Sequence, residues 1–242
     1  MNPKEIAGFK AVEFIQDGMI LGLGTGRTVY FTLIKLGELV KEGLNIKGVP
    51  TSKRTEEIAK KFGIPLISLD EYLQLDLTID GADEVDENFN LIKGGGGALL
   101  REKIVARASK KYVVVVDSSK LVKRLGEKSP LPVEVLPFGW RITKQKLETL
   151  GLEANIREKD NKYYLTDNEN YILNCSLQNL KNIRSKMKGE KRKQFDISSD
   201  LESLEYKINN IPGVIENGLF LNIADIVIVG TEEGCKIMEK RG

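Results

Sequence analysis

Ile79-Asp-Gly-Ala-Asp-Glu-Val-Asp-Glu-Asn-Phe-Asn-Leu-Ile-Lys-Gly-Gly-Gly-Gly-Ala-Leu-Leu-Arg-Glu-Lys-Ile-Val105 is the stretch from which the rest of the chain is read. An apolar strand, Leu75-Asp-Leu-Thr-Ile79, runs straight into three close carboxylates, Asp80, Asp83 and Glu84. Lys93 follows, then four glycines, Gly94 to Gly97, then an apolar-periodic helix over 98–109 that carries Glu102 in its first turns. Four consecutive glycines lose much backbone entropy on ordering, so an ordered run points to close approach of the backbone to something else. Acids, a cation and bare amides at one strand-to-helix junction suit proton transfer beside a developing oxyanion. Ordinary turn chemistry accounts for any one of Asp80, Asp83 or Glu84 alone, but less readily for the combination.

Composition narrows the classes. The 242 residues allow one large domain or two small ones. With 41% hydrophobic and 30% charged residues, the chain reads as soluble and globular. A net charge of +2 gives no global argument for nucleic acid or membrane as partner. The start, Met-Asn-Pro-Lys-Glu-Ile, has no apolar core of a signal peptide, and no apolar run approaches the ~18 residues of a membrane span. Cys175 and Cys235 have no ligand-like spacing and read as free, buried thiols of a reducing cytoplasm. The chain has no histidine at all, which excludes Ser-His-Asp and Cys-His nucleophiles, His-ligated zinc and imidazole catalysis. Any proton chemistry falls to carboxylates, lysines or tyrosines.

Outward from the central stretch, a helix is expected over 3–15, then a short buried strand, Met19–Leu23. The strand enters Gly22-Leu-Gly-Thr-Gly-Arg-Thr28, and a helix follows over 29–40. Strand, Gly-rich turn and helix N-terminus together make an anion site. The turn is no P-loop, because no Gly-Lys-Ser/Thr follows, and it is a poor dinucleotide fingerprint, because Arg27 holds the third glycine position. The next strand, 46–49, ends in Pro50-Thr51-Ser52, whose hydroxyls suit phosphate or sugar. A helix over 54–62, a possible short strand over 65–69, and the β-branched strand Tyr112–Asp117 complete this half. Lys120, at the carboxyl end of that strand, stands where open α/β sheets bind ligands. Leu131-Pro-Val-Glu-Val-Leu-Pro137 changes the texture to an α+β pattern: helices over 143–150 and 201–208, and strands near 152–157, 163–165, 171–175 and 213–219. Ile226–Val229 resumes the buried-strand style, with a closing helix expected over 232–240. The expected fold is α/β: a Rossmann-like doubly wound domain over 1–130 and 223–242, with a small α+β, ferredoxin-like domain inserted over 131–222. Lys181 to Lys193, with seven basic residues and one acid, reads as a solvated loop.

The motifs resemble ribose-5-phosphate isomerase of type A. The matching blocks are 22–28, Asp76-Leu-Thr-Ile-Asp-Gly-Ala-Asp-Glu-Val-Asp86, Leu91-Ile-Lys-Gly-Gly-Gly-Gly-Ala98, Val116-Asp-Ser-Ser-Lys120, Leu131-Pro-Val-Glu-Val135, Thr166-Asp-Asn-Glu-Asn-Tyr171 and Ile211-Pro-Gly-Val-Ile-Glu-Asn-Gly-Leu-Phe220. They span nearly the whole chain in family order. Two departures stand out: Arg27 replaces the family's serine, and the region 178–205 is longer than the family leads one to expect.

The resemblance implies reversible interconversion of ribose 5-phosphate and ribulose 5-phosphate through an enediolate, with no metal and no organic cofactor. It assigns the base to Glu102, hydroxyl protons and ring opening to Asp80 and Asp83, and the oxyanion to Lys93 with the amides of Gly94, Gly95 and Gly96. It assigns phosphate contacts to Thr25, Gly26, Arg27 and Thr28, with Lys120 and Lys4. A cytoplasmic homodimer or homotetramer acting on a small phosphosugar, with no nucleic-acid or membrane partner, is expected on the same ground. Two rivals are weighed against it. A phosphosugar-sensing module would need Thr25, Thr28 and Lys120 but not Glu102, Lys93 and both aspartates together. A coenzyme A transferase would need a glutamate nucleophile and room for a large thioester, against which the phosphate turn and the short first domain argue.

Overall fold

The computed structural model describes residues 2–178 and 201–240, so the basic run at 181–193 lies outside the described residues. Helix α1 (Pro3–Ala11) is capped by the Asn2 side chain, which accepts from the Glu5 N–H at 3.0 Å. Strand β1 (Ile20–Leu23) leads to α2 (Arg27–Lys41), β2 (Lys47–Pro50), α3 (Lys53–Lys61) and β3 (Leu77–Asp80). Two short strands, β4 (Glu84–Val85) and β5 (Leu91–Ile92), then carry the chain into α4 (Leu99–Arg107) and β6 (Tyr112–Asp117). Next come β7 (Leu131–Val135), α5 (Trp140–Thr149), β8 (Glu153–Ile156), a hairpin of β9 (Glu158–Lys159) and β10 (Lys162–Tyr163), and β11 (Tyr171–Ser176). Helix α6 (Leu201–Asn209), β12 (Val214–Asn217), β13 (Leu219–Phe220), β14 (Ile226–Thr231) and β15 (Gly234–Glu239) close the described chain.

The main sheet has the order β15-β14-β6-β3-β1-β2 and is parallel except for β15. Strand order reverses between β1 and β3, so their carboxyl ends open the crevice where doubly wound sheets bind ligands. β6 shows why this sheet is buried on both faces. Val113 and Val115 pack with Leu21, Leu33 and Ile228, while Tyr112, Val114 and Val116 pack with Leu99, Val227 and Phe220. An apolar run at every position, not every second one, is what two covered faces require.

The second sheet is antiparallel, of order β12-β7-β11-β8. Its elements follow the ferredoxin-like βαββαβ order, and Leu147 of α5 with Leu204 and Ile208 of α6 share one core with Leu131, Val133 and Leu173. A third, small sheet joins β13 to β5 and β4. It ties the end of the 131–222 segment to the stretch between β3 and α4.

Three expectations are corrected. Cys175 is buried as expected, but Cys235 is exposed, because it lies on the edge strand β15. The closing segment is a strand, not a helix: β15 pairs antiparallel with β14 from Ile226↔Glu239 to Thr231↔Gly234. The cause lies in its neighbour. Without β15, the buried strand β14 would present a row of unpaired N–H and C=O groups at the sheet edge. Gly234, at φ 145, supplies the turn. The expected strand over 65–69 shrinks to one parallel bridge, Leu66↔Gly48, because Pro65 has no N–H to give to a ladder.

Candidate active site

The crevice between β1 and β3 holds a cavity of about 600 Å³. At one end lies the N-terminus of α2. Its N-cap, Gly26, has φ 137 and no side chain to cap the helix, so the first-turn N–H groups and the positive end of the helix dipole are left for an anion. Gly26, Arg27 and Thr28 line this end, and Thr28 is largely buried. Lys4 and Lys120 reach the same cavity from α1 and from the turn after β6. Lys4 is 3.1 Å from Asp117. Although partial burial works the other way, the Ser119 hydroxyl and Lys4 hold Asp117 below the ordinary carboxylate range.

Thr25 also lines the cavity, but its polar groups are engaged inward. Its N–H donates to Asp80 Oδ1 at 3.0 Å. Its hydroxyl lies 2.8 Å from those of Thr51 and Ser52 and 3.0 Å from that of Thr55. This cluster of four hydroxyls fastens the phosphate turn to the end of β2 and the start of α3. The Thr51 and Ser52 hydroxyls, read from sequence as sugar or phosphate ligands, serve largely as that fastening.

The deeper wall is built by Asp80, Lys93 and Glu102. Lys93, on the residue after β5, has 2% exposure, and Glu102, on α4, has 4%. Lys93 Nζ is 3.1 Å from Asp80 Oδ2 and 3.1 Å from Glu102 Oε1, and it donates to the Gly81 carbonyl. An ammonium has three N–H donors, and these three acceptors match them. Burial works against the Lys93 charge, but Asp80 and Glu102 more than offset it and hold the ammonium above its ordinary range. Glu102 goes the other way: burial first, then the Asp80 charge, outweigh Lys93 and push the carboxyl up to about 8. A carboxyl so placed is a far stronger base near neutrality than a solvated glutamate near ~4.3.

Asp80 has no exposed surface and stands behind the residues that line the cavity. Oδ1 accepts from Thr25 N and Gly81 N, and Oδ2 meets Lys93 and the Tyr112 hydroxyl, the last at 3.4 Å. Burial, then Asp80 and Glu102, hold that phenol well above its ordinary pKa, so it remains a donor. Asp80 is thus an ionic anchor between the two glycine turns. Gly24 shows how tightly: a Cβ there would land on the Asp80 carboxylate. Gly24→Ala is therefore expected to destabilise by about 1–3 kcal/mol and to displace Asp80, which denaturant titration checks.

Asp83 faces the cavity, with Oδ2 accepting from Gly95 N at 2.7 Å. Gly94, Gly95 and Gly96 line the same wall. Their carbonyls are held from the antiparallel-sheet side: Arg157 donates to Gly94 O at 2.9 Å and Gly95 O at 3.2 Å, and Tyr164 to Gly96 O at 3.3 Å. Burial lowers the Arg157 pKa and raises that of Tyr164. Asp167, also lining the cavity, accepts from Lys53 N at 2.7 Å and so caps α3 across the crevice. Glu84 belongs elsewhere. It is fully buried and accepts from the N–H groups of Gly126, Lys128 and Ser129, which makes it the anchor of that loop.

The cavity therefore brings together the residues singled out from the sequence except Asp80, which supports the wall from behind, Thr51, which fastens the turn at Thr25, and Glu84, which anchors the 126–129 loop. Sequence reasoning missed Tyr112, Arg157, Tyr164 and Asp167. Only Asp167 carried a signal, as part of the 166–171 block.

The chain is similar to known proteins over nearly its full length. The family model for ribose 5-phosphate isomerase A (phosphoriboisomerase A) matches residues 47–234. Ribose-5-phosphate isomerase A of Bacillus mycoides is 48% identical over 236 residues, covering 98% of this chain and 99% of the relative. Among solved structures, ribose 5-phosphate isomerase A of Methanocaldococcus jannaschii superposes with a TM-score of 0.86 at 42% identity, covering 98% of each chain. A D-ribose-5-phosphate isomerase in complex with phospho-erythronic acid gives a TM-score of 0.87 at 40% identity, covering 99% of this chain and 100% of the other.

Proposed function

Because the chain belongs to the ribose 5-phosphate isomerase A family and interconverts ribose 5-phosphate and ribulose 5-phosphate in the pentose phosphate pathway, we propose that Glu102 carries the migrating proton. The observation that carries this is the buried Glu102 carboxyl, raised to about 8, at the cavity wall beside Lys93. In the open-chain aldose, Glu102 takes the C2 proton. The C–H electron pair forms the C1–C2 double bond, and the carbonyl pair moves onto O1. As the carboxylate loses its charge, its hold on Lys93 weakens. The same Nζ–H then turns to the oxygen where the charge has appeared. Glu102 then returns the proton to C1 on the C1=C2 electron pair, the O2–H pair forms the C2 carbonyl, and the O2 proton passes to O1, which completes the ketose. Asp83, facing the cavity, is the group for hydroxyl protons and ring opening. Asp80 acts through Lys93 and through its field on Glu102.

The phosphate is bound by the open N-terminus of α2, with Arg27, Thr28, Lys120 and Lys4. Arg27 is exposed, so its contribution is screened by salt. Arg27→Ala is expected to raise KM for ribose 5-phosphate by roughly threefold to tenfold at low ionic strength, with kcat unchanged and the difference shrinking as salt is added. Steady-state kinetics in a salt series checks this.

The two sheets support dividing the chain into a Rossmann-like unit, 1–130 with 223–242, and an inserted unit, 131–222. Phe138, 88% exposed in the turn before α5, and Ile142, 66% exposed in the first turn of α5, support a homodimer or homotetramer. The metabolic role supports a cytoplasmic enzyme.

The proposal is tested by ribulose 5-phosphate formation as a function of pH, with a chelator present throughout. Glu102 must be ionised to act, so kcat/KM, which reports the free enzyme, should rise with pH up to about 8 and then level. A kcat/KM flat from pH 5 to 9 would contradict it.

A further inference from the structure

Helix α4 advances by about 100° per residue, so the side chains on either side of Glu102 point away to opposite flanks of it. Both flanking residues are cationic, and both reach elements of the 131–222 segment. Arg101 Nε donates to Asn168 Oδ1 at 2.8 Å, and its Nη2 to the Asp167 carbonyl at 3.3 Å. The loop it grips is itself fixed. Thr166, Asn168 and Asn170 donate to Oε1 of the fully buried Glu134 on β7, at 2.9, 3.3 and 2.9 Å. On the other flank, Lys103 is 7% exposed. Its Nζ lies 2.8 Å from Glu216 and 3.3 Å from Glu205, and donates to the Asn217 carbonyl at 2.8 Å. Phe220 stands between this cluster and the site: its ring centre is 4.9 Å from Lys103 Nζ and 5.4 Å from Lys93 Nζ. Lys93 N also donates to the Gly218 carbonyl at 2.9 Å.

We propose that Arg101 and Lys103 are positioning residues, which fasten α4 to the antiparallel-sheet elements on both sides of Glu102 and thereby set where its carboxylate meets the substrate carbons. A surface salt link would not be built this way. Lys103 is buried with two carboxylates and a carbonyl, and the same short segment, 216–220, holds both Lys103 and Lys93. Among the described residues, no ionic group of the 131–222 segment touches Glu102 or Lys93 Nζ. Its grip on the base runs through the two neighbours of Glu102. The inference rests on the reading of Glu102 as the base.

The test compares Arg101→Met, Lys103→Met, Glu216→Gln and Glu102→Gln in the full chain, with kcat, KM for ribose 5-phosphate, the pH profile of kcat/KM and thermal unfolding measured for each. A carboxylate displaced by even ~1 Å can lose ~10²-fold in rate. We expect kcat to fall about 10–100-fold in Arg101→Met, Lys103→Met and Glu216→Gln, with KM within about threefold, since the phosphate end is untouched. The rise of kcat/KM with pH should also move to lower pH as water reaches Glu102. The charged and titratable groups facing Glu102 (Asp80, Asp83, Lys93 and Tyr112) are unchanged in these variants, and only the Lys103–Glu205–Glu216 cluster or the Arg101 grip is altered. Folded variants with normal kcat and pH profile but lowered melting temperature would overturn the proposal. So would a rise in KM alone. Should Lys103→Met fail to fold, Glu216→Gln, which keeps the lysine and Glu205, decides. Near-normal turnover in Glu102→Gln would instead remove the base assignment, an outcome separate from normal kcat in the flanking variants alone.

Discussion

Glu102→Gln should lower kcat by roughly 10²–10⁴-fold, the usual contribution of a general base, while KM for ribose 5-phosphate changes little. Glutamine keeps the shape of the side chain and can still accept from Lys93, but it cannot take a proton. The same substitution should stabilise the fold at alkaline pH. In the folded chain the carboxyl is raised to about 8 by burial, then by Asp80. At low pH, below the ordinary carboxylate range, folded and unfolded chains both hold the proton and the group costs nothing. From there up to about 8 the unfolded chain has released a proton that the folded chain keeps, so stability falls as pH rises. Above about 8 the cost is complete. Glutamine removes this loss, so at pH 9 the variant should be more stable than the parent by on the order of 2–4 kcal/mol, and near-equal at pH 4. Denaturant titrations at the two pH values, beside the kinetics, check both halves. A residue that lowers stability where the enzyme works is the expected signature of a site selected for chemistry rather than folding.

Lys93→Met should have the second-largest effect, and here activity and stability fall together. Removing a donor from a developing oxyanion costs about 10²–10³ in kcat. The lysine is also the counter-charge of two carboxylates, 3.1 Å away on either side, in a site with almost no exposure. Breaking a buried ion pair from one side costs about 3–5 kcal/mol, because the remaining charge is left without compensation. The loss should grow as pH rises and Glu102 is asked to ionise beside Asp80 with no cation between them. A loss relative to the parent that is no larger at pH 9 than at pH 5 would show that the lysine is not the counter-charge.

Much of this was legible in the sequence, for physical reasons. Tyr112–Asp117 had to be a central strand because its run of valines leaves no polar face. The four glycines had to approach something closely, and they do: Asp83 from one side, Arg157 and Tyr164 from the other. The parts that were not legible depend on contacts distant in sequence. Arg157 and Tyr164 look like ordinary residues of a short strand and hairpin until β8 and β11 bring them against the glycines. Tyr112 looks like a strand aromatic until β3 sets Asp80 beside it. The burial of Asp80 could not be read either: Thr25 N and Lys93, which hold it beside the neighbouring Gly81 N, come from segments 55 and 13 residues away. The closing residues read as a helix because lysine and glutamate favour one. The unpaired edge of β14 overrides that local preference, and such an edge is visible only once the sheet order is known.

The most direct test of the Glu102 assignment is isomerisation in deuterium oxide, with the ribose 5-phosphate recovered after many turnovers and its C2 position examined by NMR. A proton carried by a carboxylate is shared with solvent in some fraction of turnovers, so deuterium should accumulate at C2 in the parent enzyme and be absent at matched times with Glu102→Gln. Isomerisation in the parent enzyme that leaves C2 free of deuterium would mean that hydrogen passes directly from carbon to carbon, and Glu102 would no longer be its carrier.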